Sequence, residues 1–377
     1  MKKSKRIGLV TAWGECGMGY LAKNWVYTLN KFKDTIDLQI FSRAKKWLTP
    51  YKWQGDNVIN GNETMDINNN VFWDWVNNFK PEVILFQDQN IYSDSKMQEE
   101  CYKLKKLGIK LINYPDSIHW NELEHHKGLY HVNVAHVKRN LQWLKDYNLE
   151  NPTYIPWGVI INNFPFIERK IQPNQKVRFY INLGTGTSRK GYDLLPKTIK
   201  NITGNWFTNL YKKNNYDFKF IASAIKDSES RINSTFRNFF NSNKYCELIF
   251  KTANNSAGGL FNLGDVYIYP TYVEGVGLTI TESMCTGLPV VTTNFPTMNE
   301  WIDDNKDGRL IKVSKVKKWR RPTFKAYADT NHLSEIMIDY IENPHKINEH
   351  SFNARKKVEK LYNWDDRDED FLNLISI

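Results

Sequence analysis

Two glutamates eight residues apart, Glu274 and Glu282, lie in the stretch YPTYVEGVGLTITESMCTGLPVVTTNFPTMNE, Tyr269 to Glu300. A strand ends near Pro270, Gly275 and Gly277 follow, and a helix begins near Leu278 and carries Glu282. Glycines let a backbone come close to a ligand, and a helix start offers free N–H groups to an anion. Both carboxylates can therefore face one ligand, at its two ends. Taken alone they also fit solvated acids in a loop and a first helical turn, where acids are favoured.

Three further stretches share the strand-to-loop-to-helix pattern or a strand end. In LGTGTSRKGYDLL, Leu183 to Leu195, Arg189 and Lys190 stand where cations can neutralise a phosphate-bearing leaving group as its charge develops. In WGECGMGYLAKNW, Trp13 to Trp25, Gly17 and Gly19 are the candidate backbone contacts, with Cys16 a bystander. In LINYPDSIHWNELEHH, Leu111 to His126, a strand end delivers Asp116 and His119. His125 and His126 are adjacent and lack partners at metal-ligand spacing, so they read as surface histidines on a helix.

These stretches need a frame of strands and helices to converge. Short apolar runs predict strands at Arg6–Ala12, Asp37–Phe41, Val83–Gln87, Lys110–Tyr114, Val132–Ala135 and Thr153–Ile155. Helical spacing between them covers Tyr20–Phe32, Val71–Phe79, Lys96–Leu107 and Lys138–Tyr147. Trp157–Pro173 has the composition of a linker, after which the alternation resumes. Its strands are Arg178–Leu183, Phe218–Ala222, Glu247–Phe250, Val266–Tyr269 and Pro289–Thr293. Its helices are Tyr192–Asn201, Ser228–Phe240, Ser256–Leu263 and Leu278–Thr286. Strands alternating with helices imply parallel sheets covered on both faces, with ligands outside the carboxyl ends of the strands. The expectation is an α/β protein of two doubly wound domains.

A length of 377 residues suits two domains, and 41% hydrophobic residues describe a chain able to fill both cores. Cys16, Cys101, Cys246 and Cys285 are far apart and form no CxxC pair, which fits a reducing, cytoplasmic setting. The apolar run Ile7–Trp13 is too short for a signal core, and no stretch approaches the roughly 18 apolar residues of a membrane span. A net charge of +11 invites nucleic acid or anionic lipid, although Lys, Asn, Ile and Tyr are abundant together throughout. Lys312–Pro322, KVSKVKKWRRP, concentrates that charge around a tryptophan. It suits a peripheral membrane contact, a nucleic-acid backbone or a solvated insertion loop.

The stretch from Glu274 to Glu300 resembles the donor signature of glycosyltransferase family 4, through Glu274, Gly275, Gly277, Leu278, Glu282, Met284, Gly287, Pro289, Val290 and Glu300. Lys190-Gly191 resembles the end of that family's G-R-x(n)-K-G motif, with Thr185 in the usual arginine place and Arg189 as a candidate substitute. Ile155–Phe164 is similar to the segment leading into the second domain, with Trp157 and Ile160 replacing polar residues. Asn353–Arg355 and Tyr362–Asp365 are similar to the last helices. The resemblance implies a GT-B fold, two Rossmann-like domains facing each other across a cleft. The expected parts are an acceptor-side domain at 1–165, a donor-binding domain at 166–355, and a helix at 356–377 crossing back to the first domain.

The resemblance also implies an activity: a retaining transfer of a hexose from a nucleotide diphosphate sugar to a hydroxyl of a glycan or lipid-linked glycan. Glu282 would hold the donor ribose, Glu274 would sit beside the transferred sugar, and Lys190 with Arg189 would meet the diphosphate. Gly275, Gly277 and Leu278 complete the donor contacts, with Gly17 and Gly19 reaching the donor from the first domain; Asp116 joins Glu274 and Lys190 as a catalytic candidate, and His119 lies on the acceptor side. No cofactor or metal is expected. A DNA-modifying glycosyltransferase and a catalytically silent sugar-nucleotide-binding protein are the competing readings.

Overall fold

The computed structural model describes residues 4–43, 52–61, 67, 70–87, 95–115, 126–204, 216–251, 260–320 and 323–376. The chain divides into two compact units. Unit 1 comprises Met1–Trp157, Arg320–Pro322 and Trp364–Ile377, and unit 2 comprises Gly158–Trp319 and Thr323–Asn363. Among the described residues no helix is long and apolar enough to cross a membrane.

Unit 1 is built on a seven-stranded sheet of β1 (Lys5–Ala12), β2 (Ile36–Arg43), β3 (Val58–Asn60), β4 (Val83–Gln87), β5 (Lys110–Tyr114), β6 (Val132–Ala135) and β7 (Pro152–Tyr154). The order is β3-β2-β1-β4-β5-β6-β7, and every pairing is parallel. Helices α1 (Gly17–Asn30), α2 (Asn70–Phe79), α3 (Ser95–Lys106) and α4 (Lys138–Asp146) follow strands β1, β3, β4 and β6. Ile7, Leu9, Val83 and Leu85 are fully buried, as a sheet covered on both faces requires. β4 reads as an unbroken apolar run from Val83 to Phe86, β5 and β6 are apolar around Asn113 and Asn133, and all three occupy the residues expected of them.

The C-terminal segment completes this unit. Trp364 is fully buried, and its indole N–H donates to the Asn24 carbonyl at 2.8 Å and to Thr28 Oγ1 at 2.9 Å. Helix α10 (Asp368–Ile375) brings Phe371 to 5.1 Å from the Trp25 ring. Lys31 binds Asp365 and Asp368, and Tyr27 donates to Asp365. Within the same aromatic cluster His136 accepts from the Trp25 indole at Nε2, 3.0 Å, and its Nδ1 lies 2.6 Å from the Ile155 carbonyl. An indole only donates and a carbonyl only accepts, so His136 is the neutral Nδ1–H tautomer. Burial pulls its pKa down to about 4.

Unit 2 has a six-stranded parallel sheet of β8 (Val177–Gly184), β9 (Phe218–Ile225), β10 (Cys246–Lys251), β11 (Val266–Tyr269), β12 (Val290–Thr293) and β13 (Gly308–Ile311). The order β10-β9-β8-β11-β12-β13 reverses between β8 and β11. Helices α5 (Leu195–Thr203), α6 (Ser234–Ser242), α7 (Leu278–Cys285), α8 (Thr330–Glu342) and α9 (His345–Leu361) surround it. A separate two-stranded sheet, β14 (Val313–Arg320) and β15 (Thr323–Ala328), lies between β13 and α8.

Several expectations are corrected here. The helix expected over Ser228–Phe240 is split into a 3-10 segment at Lys226–Arg231 and α6. Asn233 makes the break, because its side chain caps α6 by accepting from Thr235 N at 2.8 Å and Phe236 N at 3.3 Å. Of the expected helix Ser256–Leu263, residues 256–259 lie outside the described residues, and Phe261–Leu263 is a 3-10 turn. The linker composition of Trp157–Pro173 hides a packed segment, in which Trp157, Val159, Ile160, Phe164 and Ile171 are all buried. Of the basic stretch 312–322, Val313–Arg320 is strand, not loop.

Candidate functional site

Strands β8 and β11 are neighbours at the reversal point of the unit 2 sheet, and their carboxyl ends are Gly184 and Tyr269. A doubly wound sheet presents its ligand crevice at such a point. The loop after β8 carries Arg189 and Lys190, and the loop after β11 carries Glu274, Gly275 and Gly277. The topology therefore brings together two stretches some eighty residues apart in sequence.

Their close approach is built into Gly191. Its φ is +69°, and a Cβ there would lie 2.0 Å from the Pro270 carbonyl oxygen. Only glycine satisfies both conditions. The Arg189 carbonyl then accepts from Tyr272 N at 2.8 Å and from Thr271 Oγ1 at 3.0 Å, stitching one loop to the other.

Four charged side chains converge on this seam. Lys190 is buried, with Nζ donating to the Asn182 carbonyl at 2.9 Å. Arg189 forms an ion pair with Glu274 and donates to the Val273 carbonyl at 3.2 Å. Glu274, 5% exposed, also accepts from Tyr269 Oη and from Thr271 Oγ1. Glu282 lies in the second turn of α7, and every residue of that helix from Ile280 to Cys285 is buried. The reading of both acids as solvated carboxylates is overturned by this burial.

Burial, then the neighbouring Arg189, pulls the Lys190 pKa down to about 8, with Glu274 and Glu282 opposing. Burial pushes Glu282 up to about 8, with Lys190 opposing. Among the described residues the Glu282 carboxyl accepts no hydrogen bond. A buried polar group normally has partners, so this carboxyl has bonding capacity left for a ligand. Gly277 precedes α7 with φ +84°, and Thr297 Oγ1 fixes the loop by donating to the carbonyls of Glu274 at 3.2 Å and Gly275 at 3.1 Å. Trp301 Nε1 holds Val276 in the same way, at 2.8 Å. Leu278 is half-buried at the start of α7. Two cations, a helix start and a buried acid suit a ligand with phosphates at one end and hydroxyls at the other.

In unit 1 the glycine loop after β1 treats its two candidate glycines differently. Gly17 is exposed, with nothing within 4 Å of where a Cβ would stand. Gly19 is buried, and a Cβ there would lie 2.0 Å from the Gly14 carbonyl oxygen. Cys16 has a structural part here: its Sγ caps α1, accepting from Gly19 N at 3.4 Å. Beside the loop, Trp53 Nε1 donates to Glu15 at 2.7 Å, and Lys23 Nζ lies 3.5 Å from the Trp53 ring centroid. Nothing in the sequence pattern joins Trp53 to this loop.

Asp116, His119 and His125 lie outside the described residues. His126 is not a surface histidine. It is 6% exposed, with Nδ1 3.2 Å from Asn113 Nδ2 and its ring against Tyr130. The sequence pattern does not mark Tyr269, Thr271, Thr297 or Trp301 as supports of the site: Thr271, Thr297 and Trp301 act through contacts between loops, and Tyr269 through a side-chain bond to Glu274 that spacing does not reveal.

Residues 163–343 match the family model described as Glycosyl transferases group 1. A sucrose synthase of Denitrovibrio acetiphilus is 33% identical over 103 residues, 26% of this chain and 11% of that protein. A processive diacylglycerol alpha-glucosyltransferase of Acholeplasma laidlawii is 29% identical over 137 residues, 35% of each chain. The chain thus spans about a third or less of these curated relatives. Among solved structures, sucrose-phosphate synthase from Thermosynechococcus elongatus superposes with TM-score 0.72 at 13% identity over 98% of both chains. Anabaena HepE, in complex with UDP and glucose, gives TM-score 0.70 at 11% identity over 98% of this chain and 99% of that one. The two parallel-sheet Rossmann-like units are those of a GT-B glycosyltransferase fold.

Proposed function

We propose that this chain is a retaining family 4 glycosyltransferase that moves a hexose from a nucleotide diphosphate sugar to an acceptor hydroxyl on a glycan or lipid-linked glycan. The observation that carries the reading is the joining of Lys190, Arg189, Glu274 and Glu282 at the β8–β11 reversal point, inside the segment that matches Glycosyl transferases group 1. HepE, whose structure holds UDP and glucose, supports a nucleotide-sugar donor. The diacylglycerol in the name of the Acholeplasma laidlawii enzyme supports a lipid-linked acceptor.

In this mechanism Glu282 binds the ribose hydroxyls and the start of α7 meets the diphosphate. Lys190 neutralises the charge that grows on the leaving phosphate as the anomeric C–O bond breaks. Arg189 supplies the guanidinium that Thr185 lacks. Glu274 lies beside the transferred sugar. The acceptor hydroxyl attacks from the face the diphosphate leaves, and a leaving phosphate oxygen takes its proton. Gly17 approaches the donor from the first domain, Asp116 is the catalytic candidate at the transferred sugar, His119 belongs to the acceptor side, and binding orients both substrates before reaction.

The test is incubation with UDP- and GDP-sugars, following nucleoside diphosphate release and the anomeric proton of the freed sugar by NMR. The expected first product from an α-linked donor is the α anomer. The β anomer as first product rules out retention, and no release from any donor rules out the activity.

A further inference from the structure

Unit 2 has a pocket of about 240 Å³ between the segment 166–172 and helix α9, and the transfer reaction does not use it. Arg169 lines this pocket and is 6% exposed. Its Nη2 donates to the Phe261 carbonyl at 3.3 Å, and its Nε has no partner among the described residues. Asp265 attracts it but is held by Arg178, through Nη2 at 2.6 Å and Nε at 3.1 Å. Among the described residues, no carboxylate forms an ion pair with Arg169. Burial pulls its pKa down to about 10, which still leaves the guanidinium charged at neutral pH. Buried charges are normally paired, so this one has room for an anion.

The rest of the lining says what kind. Glu168 and Lys170 pair with each other at 2.8 Å, so the lining has the single net charge of Arg169. Two phenyl rings in the wall keep exposed surface, Phe166 at 37% and Phe352 at 52%. Asn348 uses both ends of its amide on the Ile171 backbone, Oδ1 accepting from N at 2.9 Å and Nδ2 donating to the carbonyl at 3.2 Å. Ser351 Oγ is buried in the same lining without a partner among the described residues. A guanidinium, a hydroxyl and two rings suit an oxyanion on an apolar body better than a sugar. One positive charge, largely out of water, calls for a monoanion.

The walls are fixed to α7 and α9. A Cβ on Gly287 would come within 2.5 Å of the Phe166 ring and 3.0 Å of Ser351 Oγ. Ile167 N donates to the Thr286 carbonyl at 3.1 Å, and Arg355 Nη1 to the carbonyls of Phe164 at 3.0 Å and Cys285 at 2.7 Å. The volume exceeds the roughly 150 Å³ of a cavity that takes benzene. It falls short of the roughly 300 Å³ at which drug-sized sites begin. We infer that this pocket binds a small aryl carboxylate, with the carboxylate on Arg169 and the ring against Phe166 and Phe352.

The experiment is isothermal titration of benzoate and phenylacetate into the full chain, with benzamide and inorganic phosphate alongside. Saturable binding of a carboxylate is expected. Benzamide lacks the charge and phosphate lacks the ring, so each should bind at least about tenfold more weakly. Arg169→Met should lose about 10- to 100-fold in affinity, the range of a hydrogen bond to a charged group. It should melt no lower than wild type, because carbon replaces an unpaired buried charge. Phe352→Ser, at an exposed position, should weaken binding about threefold to tenfold. Lys190→Ala should leave it unchanged. Absence of saturable binding by either carboxylate overturns the inference, as does wild-type affinity in Arg169→Met or Phe352→Ser. Phosphate or benzamide binding as tightly as the carboxylates does so too. Loss of benzoate binding in Lys190→Ala also overturns it, and places the anion at the β8–β11 seam.

Discussion

Lys190 and Glu282 are both driven toward neutrality by burial, and a diphosphate changes that balance for the lysine. In the donor-free protein Lys190 loses its proton as pH rises through about 8, below the usual 10.5. A bound diphosphate favours the ammonium, so binding above that pH must take up a proton. Affinity for UDP or GDP should fall by about tenfold per pH unit there, and Lys190→Gln should flatten the profile. A calorimetric series across that range checks this, and an affinity that rises with pH would contradict it. Glu282 answers to a kinetic test. Glu282→Ala should raise the donor KM about 10- to 100-fold, as for a lost hydrogen bond to a buried carboxyl, with kcat changing less. An equal fall in kcat with KM unchanged would move Glu282 from donor binding to the reacting centre.

At the scale of elements, the site depends on two loops being allowed to touch. Gly191→Ala places a Cβ against the Pro270 carbonyl at a left-handed φ, so the seam must open. The left-handed conformation alone costs roughly 1–2 kcal/mol for a non-glycine residue. The variant should melt lower and bind donor nucleotide more than tenfold less tightly, by thermal melts and titration; wild-type affinity would show that the seam is not needed. How far the sequence foretold these elements follows from the same physics. Strands buried on both faces, such as β4 and β11, are nearly continuous apolar runs and can be read directly. The lysine-rich β14 could not, because its alternation is between charged and exposed residues. Spacing also led to Lys190, Glu274 and Glu282, since glycine loops at strand ends have a local signature. The bond from Arg189 to Glu274 has none, being made only when β8 and β11 lie side by side, whereas those from Tyr269 and Thr271 are local to the loop after β11.

At the scale of the whole chain, stability is tied to pH through His136. Its folded pKa, about 4, lies below the usual 6.5, so the unfolded chain binds the extra proton between those values. The stabilisation is complete above about pH 6.5 and is lost as pH falls through about 4, amounting to about 3 kcal/mol. Thermal melts should fall over that window in wild type and change less in His136→Gln, which has no proton to gain. Equal slopes in the two proteins would remove His136 as the cause. Trp364 packs 5.9 Å from the same ring, so this acid sensitivity extends to the C-terminal segment that completes unit 1.

The central claim is that the β8–β11 seam of unit 2 is a nucleotide-sugar donor site. Isothermal titration of UDP and GDP into wild type and Lys190→Ala tests it most directly. The account predicts saturable binding of one of them to wild type and a loss of about 10- to 100-fold in the variant, the range of a charge-assisted hydrogen bond. Equal affinity in the two proteins, with the variant folded by its melt, would contradict it.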